Sequence, residues 1–152
     1  MIKTREIKGV VPVLLTPFTK SRAIDEAGLE RLVRYLLGKD IGGFWVLGTG
    51  SEDMDLTFEK RLQVARCVAR VNKGRVPAVL GAGFFALEDS LNFIEATHDL
   101  DYDAYHLMPY HPLYSLERMQ WHYRAVADAA SKPLWMYTSA NWCRKITPYG
   151  DP

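Results

Sequence analysis

The chain has 152 residues, 48% of them hydrophobic, and 19 basic against 18 acidic side chains leave a net charge of +1. So even a balance gives no electrostatic footprint for nucleic acid or an anionic membrane surface, and no apolar run approaches the ~20 residues that span a bilayer. Cys67 and Cys143 stand alone without Cys-x-x-Cys spacing, and Met1–Glu6 lacks a signal-peptide apolar segment, so the expected compartment is the cytoplasm.

Val10 to Leu15 is an apolar, β-branched run closed by Thr16-Pro17-Phe18, which predicts a buried first strand. Asp25 is a suitable N-cap for a helix carrying Leu29, Leu32, Val33 and Leu36 on one face and stopping near Gly38. The second strand, Gly43 to Leu47, runs into the glycine-rich turn Gly48-Thr49-Gly50-Ser51-Glu52. Thr57 opens a helix with the stripe Leu62, Ala65, Val68 and Ala69, ended by Asn72-Lys73-Gly74.

The third strand, Val76 to Leu80, leads into Gly81-Ala82-Gly83, and a helix from about Leu87 turns Leu91 and Ile94 inward. The fourth strand covers Ala104 to Met108 and ends in Pro109-Tyr110-His111-Pro112. Ser115 caps a long helix bearing Leu116, Met119, Tyr123, Val126 and Ala127; Lys132-Pro133 breaks it before a fifth strand, Leu134 to Tyr137. The tail to Pro152 shows no helical periodicity.

Five strands thus alternate with four helices at about thirty residues per unit, which means an α/β fold with a parallel sheet and right-handed crossovers. Two architectures fit: an open doubly wound sheet, or part of a (β/α)8 barrel, which needs ~250 residues. In either, loops at the C-terminal ends of strands gather ligands.

Taken together, Thr16-Pro17-Phe18, the Gly48–Glu52 turn with Leu56-Thr57 after it, Gly81-Ala82-Gly83, Met108-Pro109-Tyr110 and Met136-Tyr137 resemble the dihydrodipicolinate synthase / N-acetylneuraminate lyase family. The likeness runs from about Gly9 to Pro148. It implies a TIM-barrel, class I aldolase architecture in which a pyruvate-like 2-keto acid is held as a Schiff base on a lysine, without a cofactor.

Position by position, the resemblance makes Thr49 the hydroxyl that binds the substrate carboxylate and joins a proton relay, with Gly48, Gly50 and Ser51 completing the cradle. The family's second hydroxyl is lost at Gly50, and Ser51 stands where a glycine is usual, as if a hydroxyl had moved by one place. Glu52 matches a structural glutamate, and Tyr137 matches the tyrosine that shuttles protons during imine formation and carbon–carbon cleavage. Tyr110 lines the substrate, and His111 replaces a second tyrosine that crosses a dimer interface. Imidazole relays protons near neutral pH, and the crossing implies a homo-oligomeric parent, a dimer or tetramer.

Trp142 occupies the place of an arginine that holds a second carboxylate in the synthases. An indole cannot pair with a carboxylate as a guanidinium does, so the expectation is a lyase other than dihydrodipicolinate synthase itself. The family's Schiff-base lysine ends the sixth strand, beyond Pro152; Lys145 is the only lysine after Tyr137 and lies in connecting chain. Residues 1–152 are therefore expected to form the N-terminal portion of one barrel domain, truncated before the sixth strand and inactive alone.

Competing readings are a small non-catalytic α/β module that binds an anionic metabolite, and a doubly wound phosphate binder. The latter calls for a more glycine-rich first turn than Leu15-Thr16-Pro17-Phe18. His106 and His111 have no carboxylate or cysteine at ligand spacing, so no metal site is expected and His106 is assigned to a core or an interface. Trp121, His122 and Tyr123 read as packing residues and Cys67 as inert.

Overall fold

The computed structural model describes residues 5–108 and 114–137. Each helix starts where the local chemistry supplies a cap or a periodic apolar face. Helix α1 (Glu26–Leu37) is capped by the Asp25 carboxylate, which accepts from the Gly28 N–H at 2.9 Å. Thr57 caps α2 (Phe58–Asn72) and Ser115 caps α4 (Leu116–Ala129) in the same way. Only α3 (Leu87–Thr97) begins without a side-chain cap, behind Ala86. Lys73 takes the left-handed conformation that ends α2, and Gly74 follows it with positive φ.

Four strands, β1 (Phe44–Val46), β2 (Ala78–Gly81), β3 (Ala104–Leu107) and β4 (Leu134–Met136), pair in parallel in the order β1-β2-β3-β4. That order decides between the two architectures. A doubly wound sheet reverses direction at a switch point, whereas a barrel wall adds each strand beside the last. Here every strand sits next to its predecessor, and α1 packs on α2, α2 on α3 and α3 on α4 along one face. The fold is α/β and corresponds to part of a (β/α)8 barrel wall.

The expected first strand is reduced. Val10–Leu15 joins the sheet by one isolated parallel bridge, Val13 to Trp45, so the sheet has four strands among the described residues rather than five. Three backbone bonds hold the segment: Gly42 N–H to Val10 O, Trp45 N–H to Pro12 O and Leu14 N–H to Trp45 O. Pro12 has no N–H to donate, and proline in a sheet is confined to edges. Nor is the segment buried throughout: Leu14 is sealed, whereas Val10 is 68% and Leu15 62% exposed.

Alternation along the strands divides the two faces. Phe44, Val46, Leu80, Tyr105 and Leu107 pack toward the helices against Leu29, Val33, Val64, Val68, Phe93 and Val126. Polar atoms in this layer are satisfied locally: the Tyr102 hydroxyl donates to Ala65 O, and Tyr105 meets Thr97 at 3.1 Å. On α4, Met119, Tyr123 and Val126 are buried as the stripe predicts, but Leu116 and Ala127 are exposed. The opposite face carries Trp45, His106, Trp135 and Tyr137, and it is this face that the strand-end loops overhang.

Candidate functional site

The turn after β1 is bounded at both ends by non-glycine residues in left-handed backbone: Leu47 at φ 57° and Glu52 at φ 60°. Such a residue costs roughly 1–2 kcal/mol, and packing must over-determine it. Leu47 is fully buried, which supplies that constraint. Between the two, Thr49–Ser51 and Asp53–Asp55 form successive single 3₁₀ turns.

Ser51 closes the first of these. Its hydroxyl donates to Gly48 O at 2.6 Å and accepts from the Gly48 N–H at 2.8 Å. With both bonds spent inside the turn and the residue buried, the Ser51 hydroxyl is not presented to a ligand; it does not replace the hydroxyl missing at Gly50. Thr49, by contrast, lies on the surface of a cavity of about 230 Å³ lined by Val11, Val13, Trp45, Gly48, Thr49, Gly50, Met108 and Tyr137. The Thr49 hydroxyl has no hydrogen-bond partner among the described residues.

Tyr137 reaches the same cavity from the far end of the sheet. Its N–H donates to Leu107 O, which fixes the residue at the end of β4, and its ring meets Trp45 edge-on at 6.3 Å. Trp45 is the floor. Its indole stacks on His106 at 4.2 Å and lies so close to Gly48 that a Cβ there would fall 2.9 Å from the indole. His106 is buried, and burial lowers its pKa to about 4, with carbonyls of Val46 and Leu47 opposing the shift and the Arg61 charge reinforcing it. It is a neutral ring in the core, as expected from the sequence.

Beneath the turn lies an ion pair that the sequence reading did not single out. Arg61, buried on α2, donates from Nε to Asp53 O at 2.9 Å and from its terminal nitrogen to Gly83 O; that nitrogen lies 3.8 Å from the Asp53 carboxylate. One guanidinium thus ties the Thr49 turn to the Gly81–Gly83 loop. The signal was present: Arg61 falls on the same helical stripe as Ala65 and Val68, where a charge is out of place. Nothing in Glu52-Asp53-Met54-Asp55 tells which acid turns inward; it is Asp53, while Glu52 is exposed.

Of the predicted site residues, the structure brings Gly48, Thr49, Gly50 and Tyr137 to one cavity. Tyr110, His111 and Trp142 lie outside the described residues. No group of acidic, histidine and cysteine side chains among the described residues is arranged to hold a metal ion, and no described helix is long and apolar enough to cross a membrane. A larger groove, about 520 Å³, runs outside α1 and α2, where Arg70 bonds Glu26 and Glu30. Burial pushes the Cys67 thiol up there, with Arg70 pulling against it, which keeps the sulfur protonated and unreactive.

The sequence profile of the Dihydrodipicolinate synthetase family matches residues 6–143. The chain belongs to that family. An N-acetylneuraminate lyase of Citrobacter koseri is 34% identical over 127 residues, which is 83% of this chain and 43% of the lyase. A 4-hydroxy-tetrahydrodipicolinate synthase of Streptococcus gordonii is 31% identical over 130 residues, 84% of this chain and 42% of the synthase. Among solved structures, the N-acetylneuraminate lyase of Mycoplasma synoviae superposes with a TM-score of 0.82 at 30% identity, over 87% of this chain and 46% of that protein. The chain therefore spans less than half the length of the curated relatives it matches. Its sheet and helices correspond to the N-terminal part of the family barrel.

Proposed function

We propose that this chain is the N-terminal portion of a Schiff-base 2-keto acid lyase barrel, contributing the carboxylate cradle and the proton-shuttling tyrosine. The observation that carries the reading is the convergence of Thr49 and Tyr137, far apart in sequence, on one cavity. The Thr49 hydroxyl and the backbone N–H of Gly50 hold the keto-acid carboxylate. The Tyr137 phenol, set at the strand end, gives and takes the proton as the imine forms and as the carbon–carbon bond breaks.

No lysine lines the cavity among the described residues, and a nucleophilic lysine needs a desolvated pocket to lower its pKa. The imine-forming amine is assigned to the part of the barrel beyond the matched half. Pyruvate is the simplest ligand that fits, and Trp142 argues against a substrate whose second carboxylate must be held at that position. His111 completes the relay across a subunit interface in an oligomeric parent.

The test is pyruvate binding to the chain by saturation-transfer NMR, with borohydride trapping alongside. Binding that is reversible, leaves no lysine adduct and weakens about tenfold or more in Thr49→Val, the loss of one charge-assisted hydrogen bond, is expected. An adduct on one of the chain's own lysines, or unchanged binding in Thr49→Val, overturns the assignment.

The second reading is a module that binds an anionic metabolite at the Thr49 turn without chemistry; the described lining of the cavity, a hydroxyl and a phenol among apolar groups, suits it as well. Trapping in a complete barrel that contains this chain separates them, because only the lyase labels a lysine.

A further inference from the structure

We infer that Val13 and Gly50 together set the ligand class of the Thr49 cavity: a 2-keto acid with one carboxylate and an apolar chain beyond the carbonyl. The inference rests on the 2-keto acid reading and narrows it.

A Cβ built on Gly50 would stand 3.2 Å from Val13 Cγ1 and 3.7 Å from Val13 Cβ. Gly50 is not in left-handed backbone; among the described residues the glycines with positive φ are Gly9 and Gly74. Backbone strain therefore does not demand glycine at position 50. What a side chain there would press on is the isopropyl group of Val13, carried in by the bridge to Trp45, which must shift to admit it.

The exchange changes the chemistry of the wall. Where a hydroxyl at 50 would give the ligand a second donor, Val13 gives it two methyl groups, continuous with Val11, Trp45 and Met108. The polar end is narrow: the Thr49 hydroxyl and the backbone of Gly48 and Gly50. None of the described residues lining the cavity carries a charge. A carboxylate bound at Thr49 is satisfied there, but a second one would lie against valine, indole and thioether with no counter-charge from the described residues, a costly desolvation. The cavity, at about 230 Å³, leaves apolar wall uncovered when a three-carbon keto acid is bound.

The experiment titrates the chain with pyruvate, 2-oxopentanoate and 2-oxoglutarate by ligand-observed NMR. Wild type is expected to bind 2-oxopentanoate more tightly than pyruvate by about fourfold per added methylene, and more tightly than 2-oxoglutarate, which has the same chain length and a terminal charge. Gly50→Ser is expected to weaken all three, and Val13→Ala combined with Gly50→Ser to restore pyruvate binding while removing the chain-length preference. Val13→Thr keeps the side-chain shape, so folding is not in question, and is expected to abolish the preference for 2-oxopentanoate. Equal affinity for pyruvate and 2-oxopentanoate in wild type, or independent effects at 13 and 50, overturns the inference and leaves the 2-keto acid reading standing. Failure of all three ligands to bind overturns that reading, and the inference with it.

Discussion

Arg61 and Asp53 are sealed from solvent together beneath the Thr49 turn, with the guanidinium of one bonded to the backbone oxygen of the other and its face 4.1 Å from the Phe84 ring. Because the same guanidinium reaches Gly83 O, removing it unties two strand-end loops at once. It also takes the guanidinium charge away from the buried Asp53 carboxylate 3.8 Å from it, and breaking a buried pair from one side costs about 3–5 kcal/mol. Arg61→Met is expected to lower the unfolding free energy read from urea melts by that amount and to weaken pyruvate binding at Thr49. A change below about 1 kcal/mol would mean the pair does not hold the turn.

His106 makes stability depend on pH in a definite direction. The unfolded ring titrates near 6.5, and the folded ring, desolvated under Trp45, near 4. Between those values the unfolded chain takes up a proton that the folded chain refuses, so stability falls as pH drops from about 6.5 to about 4. The loss over that window is on the order of 3 kcal/mol. His106→Asn removes the titration, and urea melts across the window should show a shallower acid slope than wild type. An identical slope would place the ring in contact with water.

Glu52 presents a choice between a structural glutamate and an expendable one. It is exposed and sits at φ 60°, which an L-residue tolerates at roughly 1–2 kcal/mol. Glycine relieves that strain and returns roughly 0.5–1 kcal/mol to unfolded-state entropy. Glu52→Gly is therefore expected to leave the melting temperature unchanged or slightly raised. A marked fall would show that the carboxylate holds the turn, as the family resemblance implied.

What could be read from the sequence follows from what is local. Asp25, Thr57 and Ser115 mark three helix starts because a cap needs only a side-chain oxygen and the N–H three residues on. The strands stand out as apolar runs, yet Val10–Leu15 looks the same as the others; Pro12 is the one mark of its edge position. Sheet order is non-local, so the strand–helix pattern alone fits barrel and doubly wound sheet equally; the strand-end motifs and their family resemblance point to the barrel, and the sheet order bears it out. Thr49 and Tyr137, assigned from the family resemblance, line one cavity because both stand at strand ends. Arg61 is marked by its place on an apolar stripe, but the inward Ser51 hydroxyl and the choice of Asp53 as its partner are not, because both depend on the left-handed Glu52 beside them, and one-dimensional pattern carries no φ.

The last expectation concerns β4. Among the described residues it pairs with β3 alone, so its other edge has no strand neighbour among them. Successive side chains point to opposite faces, and Trp135, Met136 and Tyr137 are 39%, 56% and 42% exposed, so neither face is covered. An open edge with apolar groups on both sides is a template for pairing with another chain. The 152-residue chain is expected to self-associate with rising concentration in sedimentation velocity and to bind a hydrophobic dye. Met136→Lys places a charge on that edge and should shift the distribution toward monomer without lowering the melting temperature, since Met136 buries little. If wild type instead stays monomeric at high concentration with a sharp cooperative melt, the edge is covered by chain outside the described residues and β4 is not exposed in solution.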